Sequence, residues 1–175
     1  MRKLKNKELK RLNLKEFKNK KKLPVVIVLD NIRSAHNVGS VFRTSDAFLI
    51  KKIMLCGICP VPPKNEIRKT ALGATESVDW EYFSKSNDCI NILTKLGYKI
   101  VSIEQADKAT YLNNFSTEKS QKIALVFGNE VNGISEEIIQ QSDEVIEIPQ
   151  YGTKHSINIS VSVGIVLWDL YYKIG

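Results

Sequence analysis

The hydrophobic positions of the chain alternate between short continuous runs and helical stripes. Residues 25–30 (VVIVLD) form an apolar run with the length of a strand that is buried on both faces. In the next segment, 37–49, the apolar residues recur with the spacing of one helix face. Strands alternating with helices predict an α/β domain with a mainly parallel sheet and helices on both of its faces.

The same two patterns continue to the end of the chain. Further strands are predicted at 52–57, 98–104, 122–128 and 144–149, and further helices at 66–72, 87–96 and 158–172. Ser135 is predicted to cap one more short helix, because Glu136 and Glu137 follow it where the helix dipole favours acids. We see no internal repeat and no second folded domain.

Residues 1–22 stand apart as a basic extension, whereas 23–175 form the predicted domain. The extension carries 11 of the 26 Lys and Arg residues and two of the 19 acids, so its net charge is +9 and that of the remainder is −2. Short helices are predicted there, with caps at Asn6 and Asn13 and a small apolar side formed by Leu9, Leu12, Leu14 and Phe17. Such an arm suits a polyanion, and the alternative is a solubilising or disordered tail.

Composition argues against several other classes of protein. No apolar run approaches the ~20 residues of a membrane helix, and no apolar segment of a signal peptide follows Met1, so a cytoplasmic protein is expected. Three cysteines do not suggest a disulfide scaffold. Cys56 and Cys59 form a lone C-x-x-C, which suits a redox pair or half a zinc site. Cys89 and two histidines are the only other soft ligands, so we favour core and loop cysteines and expect no metal.

Polar residues follow three of the predicted strands where those strands end. The segments are 31–40 (NIRSAHNVGS), 129–133 (NEVNG) and 150–160 (QYGTKHSINIS). Ligands of open α/β sheets bind beyond the carboxyl ends of the strands, so we expect these loops to converge on one site. The phosphate-binding loop of nucleotide hydrolases, the G-x-G-x-x-G fingerprint and the G-x-S-x-G elbow are absent from the sequence.

These segments resemble the three motifs of the SPOUT class of RNA methyltransferases, of TrmH type. Residues 30–48 resemble the first motif, 125–135 the second and 147–170 the third, in the family's order. The likeness runs over about 25–170 and leaves the basic extension outside. It implies a trefoil knot on the C-terminal side, a homodimer through the C-terminal helix and methylation of a ribose 2′-hydroxyl in tRNA or rRNA.

The resemblance also implies S-adenosylmethionine as the cofactor, held largely by backbone groups in the knot loops. Carried over to this chain, the cofactor-binding residues are Phe127, Gly128, Ile148, Ile157 and Glu104. Adenine is flat and largely apolar, so strand-end backbone groups can bind its edge while isoleucines cover its faces. Gly128 permits close approach of the backbone.

The residues that the resemblance assigns to catalysis are Arg43, Asn37, Glu130, Ser156 and Asn158. The resemblance implies that Arg43 acts on the hydroxyl, either as the base or as an orienting group. The orienting role is easier to justify, because guanidinium groups keep their proton in proteins. On spacing alone, Arg43 could instead pair with Asp46 on the surface, and Asn37 could be only a helix cap.

Three further residues flank the motifs and are predicted to contact RNA: Arg33, Lys154 and His36. The leading hypothesis is therefore a methyltransferase that acts on RNA. One alternative is a non-catalytic RNA-binding module with the same fold, and a weaker one is a redox enzyme that uses the C-x-x-C pair.

Overall fold

A computed structural model describes residues 1–174 and contains one seven-stranded, wholly parallel sheet with the strand order β3-β2-β1-β6-β4-β7-β5. The strands are β1 (Leu23–Asp30), β2 (Ile50–Cys56), β3 (Asp79–Phe83), β4 (Lys99–Ile103), β5 (Thr110–Tyr111), β6 (Ile123–Phe127) and β7 (Glu144–Glu147). The helices are α1 (Leu14–Asn19), α2 (Ala35–Ala47), α3 (Asn65–Ala71), α4 (Ala74–Ser77), α5 (Ser86–Lys95), α6 (Glu136–Gln141) and α7 (Ile159–Ile174), with 3₁₀ turns at Asn6–Leu9 and Leu112–Asn114. The predicted α/β class is confirmed.

Alternate side chains of β1 enter two separate hydrophobic clusters. Val25, Ile27 and Leu29 join the cluster that contains residues of α2, α3 and α7. Val26 and Val28 join the second cluster, with residues of α5 and α6. Both faces of the sheet are therefore covered, which explains why β1 is an unbroken apolar run.

The segments predicted as strands or long helices lie within two residues of the observed bounds, but α2 begins earlier than expected. Ser34 is the cap of α2, since its Oγ accepts a hydrogen bond of 3.2 Å from the Asn37 backbone N–H. The interpretation of Asn37 as the helix cap is therefore wrong. Its side chain lies in the first turn of the helix and is available for other contacts.

Three other local predictions need correction. The turn Asn6–Leu9 includes Asn6 and has Lys5 at its cap position, so Asn6 is not the cap. Ser135 precedes α6 as expected, but its side chain makes no capping hydrogen bond. β3 was missed because it is an edge strand in which every residue is partly or fully exposed, so it shows no apolar run.

The N-terminal extension buries one of its side chains in the domain. Asn13 caps α1 and Glu16 completes the capping box, and the side chain of Phe17 is buried in the main cluster. Leu9, Leu12 and Leu14 remain exposed, so the expected apolar side reduces to Phe17. Burial of one Phe side chain stabilises a contact by about 1.5–3 kcal/mol, which suffices to dock a short helix.

Among residues 1–174, no helix combines the length and the apolar character that crossing a bilayer requires.

Candidate active site

A cavity of about 810 Å³ opens at the carboxyl ends of β4, β6 and β7, which are neighbours in the sheet. This is the end of a parallel sheet at which ligands bind, and the volume suits a small molecule or cofactor. Its walls are the ends of the three strands and the two loops at 128–134 and 148–158.

The five residues predicted to bind a cofactor all line this cavity: Glu104, Phe127, Gly128, Ile148 and Ile157. Ile134 and Ile139 add to the apolar part of the wall. The cavity thus combines apolar side chains with residues at strand ends, a setting that suits a flat, largely apolar ring system.

The loop after β6 folds back tightly on Gly128. Asn129 and Gly133 pair through two backbone hydrogen bonds of 3.0 and 2.9 Å, and Gly133 has a φ of +66°. A Cβ atom placed on Gly128 would lie 2.2 Å from the Gly133 carbonyl carbon and from the Ile134 nitrogen. Residue 128 must therefore be glycine for this loop to close.

Asn129 joins this loop to the segment that follows β1. Its Nδ2 donates to the Asn31 carbonyl at 2.6 Å, and its Oδ1 accepts from the backbone N–H groups of Val131 and Asn132 at 2.9 and 3.2 Å. The residue does more than favour a turn, because it fixes two strand-end loops relative to each other.

Glu104 lines the cavity, but its carboxylate is engaged by the protein. Oε2 accepts a hydrogen bond of 3.0 Å from the Ile134 N–H, and Oε1 accepts one of 2.9 Å from the Gln105 N–H. A Cβ on Gly133 would lie 2.3 Å from Oε2. The Glu104 carboxylate therefore holds the Gly128–Gly133 loop against the end of β4 through hydrogen bonds.

Three of the residues assigned to catalysis form one hydrogen-bonded chain. Asn158 Nδ2 donates to Asn37 Oδ1 at 3.2 Å, and Asn37 Nδ2 donates to Glu130 Oε1 at 3.2 Å. The second oxygen of Glu130 accepts from the Arg33 backbone N–H at 3.3 Å. The chain joins the start of α7, the first turn of α2 and the loop after β6 at the rim of the cavity.

These contacts act on the ionisation of Glu130. Partial burial raises the pKa of its carboxyl group, but hydrogen bonds from its own N–H, the Arg33 N–H, the Asn37 amide and the Ser34 N–H outweigh that effect. The net result is a lowered pKa, so Glu130 is a carboxylate at neutral pH and acts as an acceptor.

Arg43 lies apart from this chain of residues. It is exposed and lines a separate groove of about 520 Å³ between the N-terminal extension and α2–α4. The alternative ion pair with Asp46 is not formed, since Asp46 Oδ2 accepts from Ser77 Oγ and no ion pair of Arg43 occurs within residues 1–174. Ser156 lines the cavity and is exposed.

None of the three predicted RNA contacts lines the cavity. The side chains of Arg33, His36 and Lys154 are exposed. The Arg33 main chain binds Glu130, and the His36 carbonyl accepts a hydrogen bond of 3.0 Å from Thr70 Oγ1. All three side chains are accessible from solvent.

Two glutamines in the cavity wall were not identified from the sequence. Gln105 lies two residues after the end of β4 and Gln150 three residues after the end of β7. Gln105 Nε2 donates to the His155 carbonyl at 2.6 Å. Their position after buried strands was the signal available, but an isolated glutamine there is also an ordinary loop residue.

The cysteines are part of the interior. Cys56, Cys59 and Cys89 are buried free thiols. Cys59 Sγ accepts from the Ile32 N–H at 3.1 Å and donates to the Leu29 carbonyl at 3.2 Å, and burial raises the pKa of this thiol to about 12. The part of the chain described here contains no cluster of three potential metal ligands.

Comparison with known proteins agrees with this architecture. Residues 24–168 match the SpoU rRNA Methylase family. The chain is 30% identical over 158 residues to an "uncharacterized tRNA/rRNA methyltransferase" of Borreliella burgdorferi, covering 90% of this chain and 68% of that protein. It is 29% identical to a "putative TrmH family tRNA/rRNA methyltransferase" of Staphylococcus aureus, covering 91% of this chain and 63% of that protein.

Two solved structures extend the comparison. The TrmH/SpoU tRNA modifying enzyme of A. aeolicus superposes with a TM-score of 0.80 at 27% identity, covering 95% of this chain and 82% of the other. The AdoMet-bound rRNA methyltransferase of Sinorhizobium meliloti gives 0.77 at 25% identity, over 83% of this chain and 54% of the other. The predicted resemblance is confirmed, and the chain belongs to the SpoU, or TrmH-type, family of RNA methylases.

Proposed function

We propose that this protein transfers a methyl group from S-adenosylmethionine to a ribose 2′-hydroxyl of tRNA or rRNA. The observation that carries the proposal is the chain Asn158–Asn37–Glu130 at the rim of the strand-end cavity. It gathers residues from all three sequence motifs around a space that suits a nucleoside-sized ligand.

The residues of the cavity fit the cofactor. The main chain at Gly128 and Ile148 offers hydrogen-bonding groups at strand ends, and Ile148, Ile157 and Ile134 offer apolar contact for adenine. When bound, S-adenosylmethionine supplies an electrophilic methyl group on a sulfonium. The hydrogen bonds of Glu104 and Asn129 hold the loop 128–133 in the shape that binding requires.

The cavity lacks a cation for a phosphate of the RNA, because no Lys or Arg among residues 1–174 lines it. Arg43 lies elsewhere on the same chain, so we infer that a second copy brings its Arg43 to the site. α7 supports this: Val161, Ile165, Trp168 and Tyr172 form an exposed apolar stripe at helical spacing. In this arrangement Arg43 orients the hydroxyl or its phosphate, while Asn37 and Glu130 hold the rim.

We also propose a trefoil knot in the domain and a division of the chain into a basic extension and one domain. The backbone likeness to the A. aeolicus enzyme supports a trefoil knot that contains the loops of the cavity. The family match from residue 24 supports a domain at 23–175 that is preceded by a basic extension.

Incubation of the purified protein with methyl-tritiated S-adenosylmethionine and either bulk tRNA or rRNA tests the activity. Nuclease digestion and mass spectrometry of the product then locate the methyl group. We expect label in 2′-O-methylnucleosides of one RNA class. Label on a base would refute the ribose assignment, and no label on either RNA would refute both substrates.

The rival is a non-catalytic RNA-binding module, and cofactor affinity separates the two. Calorimetry with S-adenosylhomocysteine should show 1:1 binding per chain for the enzyme. RNA binding without any affinity for S-adenosylhomocysteine would favour the binding module.

A further inference from the structure

The groove that contains Arg43 is built by two parts of the chain with opposite net charge. One wall is the N-terminal extension, and the other is α2, α3 and α4 of the domain. The residues that define this arm groove are Arg11, Leu14, Arg43, Asp46, Leu72 and Glu76. Its volume is about 520 Å³.

The extension is fixed at the groove by its C-terminal half. Phe17 is buried in the main core, and Lys18 Nζ lies 2.5 Å from Asp79 Oδ1 at the start of β3. The amide of Asn13 caps α1 immediately beside the groove. Arg11 therefore belongs to a docked segment, which contradicts the picture of a wholly detached solubilising tail.

The extension presents cations that the protein itself does not neutralise. Of its 11 Lys and Arg residues, only Arg2 and Lys18 have a carboxylate oxygen within 4.0 Å in the described part of the chain. Arg11 and Arg43, on opposite walls of the groove, have none there. Two acids also line the groove, Asp46, which accepts a hydrogen bond from Ser77, and Glu76. The excess of positive charge at this face therefore comes from the rest of the extension.

We propose that the arm groove binds the phosphate backbone of RNA and aligns the strand beside Arg43. This deepens the proposed function and depends on it for the identity of the partner. Two arginines that line one groove, one from the extension and one from α2, suit a phosphate backbone, since each guanidinium can donate two parallel hydrogen bonds to a phosphate. The extension then increases the affinity for RNA and positions the strand beside Arg43, which acts on the hydroxyl.

The test compares one charge in the groove with one charge elsewhere on the same extension. Arg11→Glu reverses a groove charge. Lys7→Glu reverses an exposed charge that does not line the groove. Lys95→Glu, on α5 at the opposite face of the sheet, is the control for net charge. Fluorescence anisotropy with a labelled tRNA transcript, over a range of salt concentrations, gives the affinity and its salt dependence.

We expect Arg11→Glu to weaken binding by about tenfold and to reduce the slope of log K against log salt by about one. The other two variants should lose less than about threefold. Cross-links from 4-thiouridine in the transcript should map to peptides around residues 11–17 and 43–49. Equal losses of RNA affinity in Arg11→Glu and Lys7→Glu, or cross-links confined to other peptides, would overturn the proposal that the arm groove binds RNA.

Different results refute RNA binding in the arm groove and the proposed methyl transfer. A wild-type protein that methylates RNA, but whose RNA affinity is insensitive to Arg11→Glu, refutes the groove alone. A protein that binds RNA through Arg11 but transfers no methyl group refutes the activity alone. Absence of RNA binding by the wild type would overturn the groove proposal.

Discussion

Asn37 and Glu130 stand 93 positions apart in the chain, yet Asn37 Nδ2 donates a hydrogen bond of 3.2 Å to Glu130 Oε1. The bond connects the first turn of α2 to the loop after β6. The other end of the Asn37 amide accepts from Asn158, at the entry to α7. One amide thus fixes the relative positions of three segments that surround the cavity.

Replacing this amide with a carboxylate should break the connection. In Asn37→Asp, two carboxylates would face each other where a donor and an acceptor now meet. A hydrogen bond to a charged group contributes about 1.5–3 kcal/mol, so we expect methyl transfer to fall by at least about tenfold. Tritium incorporation into RNA measures the loss. Asn91→Asp, on the exposed face of α5, is the matched control. Wild-type activity in Asn37→Asp would contradict a role for the hydrogen bonds that join Asn158, Asn37 and Glu130.

The lowered pKa of Glu130 predicts how its contribution to stability depends on pH. A carboxyl group whose pKa is lower in the folded state stabilises the protein above its ordinary pKa, and this contribution is lost as pH falls through the folded value. The free energy of unfolding of the wild type should therefore exceed that of Glu130→Gln at pH 7, and the gap should shrink towards pH 3. Urea denaturation at several pH values measures it, and a gap that does not change with pH would contradict the assignment.

The sequence predicts those features of the fold that depend on neighbouring residues. Buried strands such as β1 are continuous apolar runs, so their positions follow from sequence alone. The edge strand β3 lacks that signal, because one side of it faces solvent and its residues are mixed. The convergence of three loops on one site also follows from their positions after strands, whereas the grouping of residues into motifs rests on the family resemblance.

The partners of individual side chains could not be predicted in the same way. The role of Glu104 depends on a loop that begins 24 positions later and turns back through Gly133, so no local pattern records it. The absence of Arg43 from the cavity likewise depends on the direction in which one side of α2 points. Motif order alone had grouped Arg43 with Glu130.

Closure of the glycine loop makes a prediction about cofactor binding. In Gly128→Ala, the new methyl group would lie 2.2 Å from main-chain atoms of Gly133 and Ile134, and backbone cannot give way as a flexible side chain can. We expect affinity for S-adenosylhomocysteine to fall by at least about tenfold, because the wall of the cavity must shift by more than the contact tolerates. Gly152→Ala is the matched control, since a Cβ there meets no atom within 4 Å. Calorimetry compares the two, and equal affinities would show that the loop adapts.

The apolar stripe of α7 predicts self-association. Trp168 is 56% exposed and packs edge-on against Phe48 and Tyr172, which leaves a large aromatic surface open. We expect wild-type protein to be a dimer and Trp168→Glu to be a folded monomer, because a buried unpaired charge is costly at an interface. Sedimentation velocity measures mass, and circular dichroism checks the fold. Ile92→Glu, at an exposed apolar position of α5 on the other face, should leave the mass unchanged.

Arg43 should separate cofactor binding from methyl transfer. Because Arg43 does not line the cavity, Arg43→Ala should bind S-adenosylhomocysteine as the wild type does, yet should lose methyl transfer. Arg68→Ala removes an exposed arginine from α3 and serves as the control. Full activity in Arg43→Ala would remove this residue from the mechanism.

Mixed dimers then decide which copy supplies the arginine. An Arg43→Ala chain keeps an intact cavity, and a Gly128→Ala chain keeps an intact Arg43, so each homodimer should have low activity when the cofactor is limiting. If Arg43 serves the partner's cavity, a heterodimer carries one complete site, and random pairing of equal amounts restores about a quarter of the wild-type sites. If Arg43 serves its own cavity, no pairing creates a complete site, because the two defects then sit in the two separate sites. Co-expression with two different affinity tags isolates the heterodimer, and an inactive heterodimer would place the function of Arg43 within a single chain.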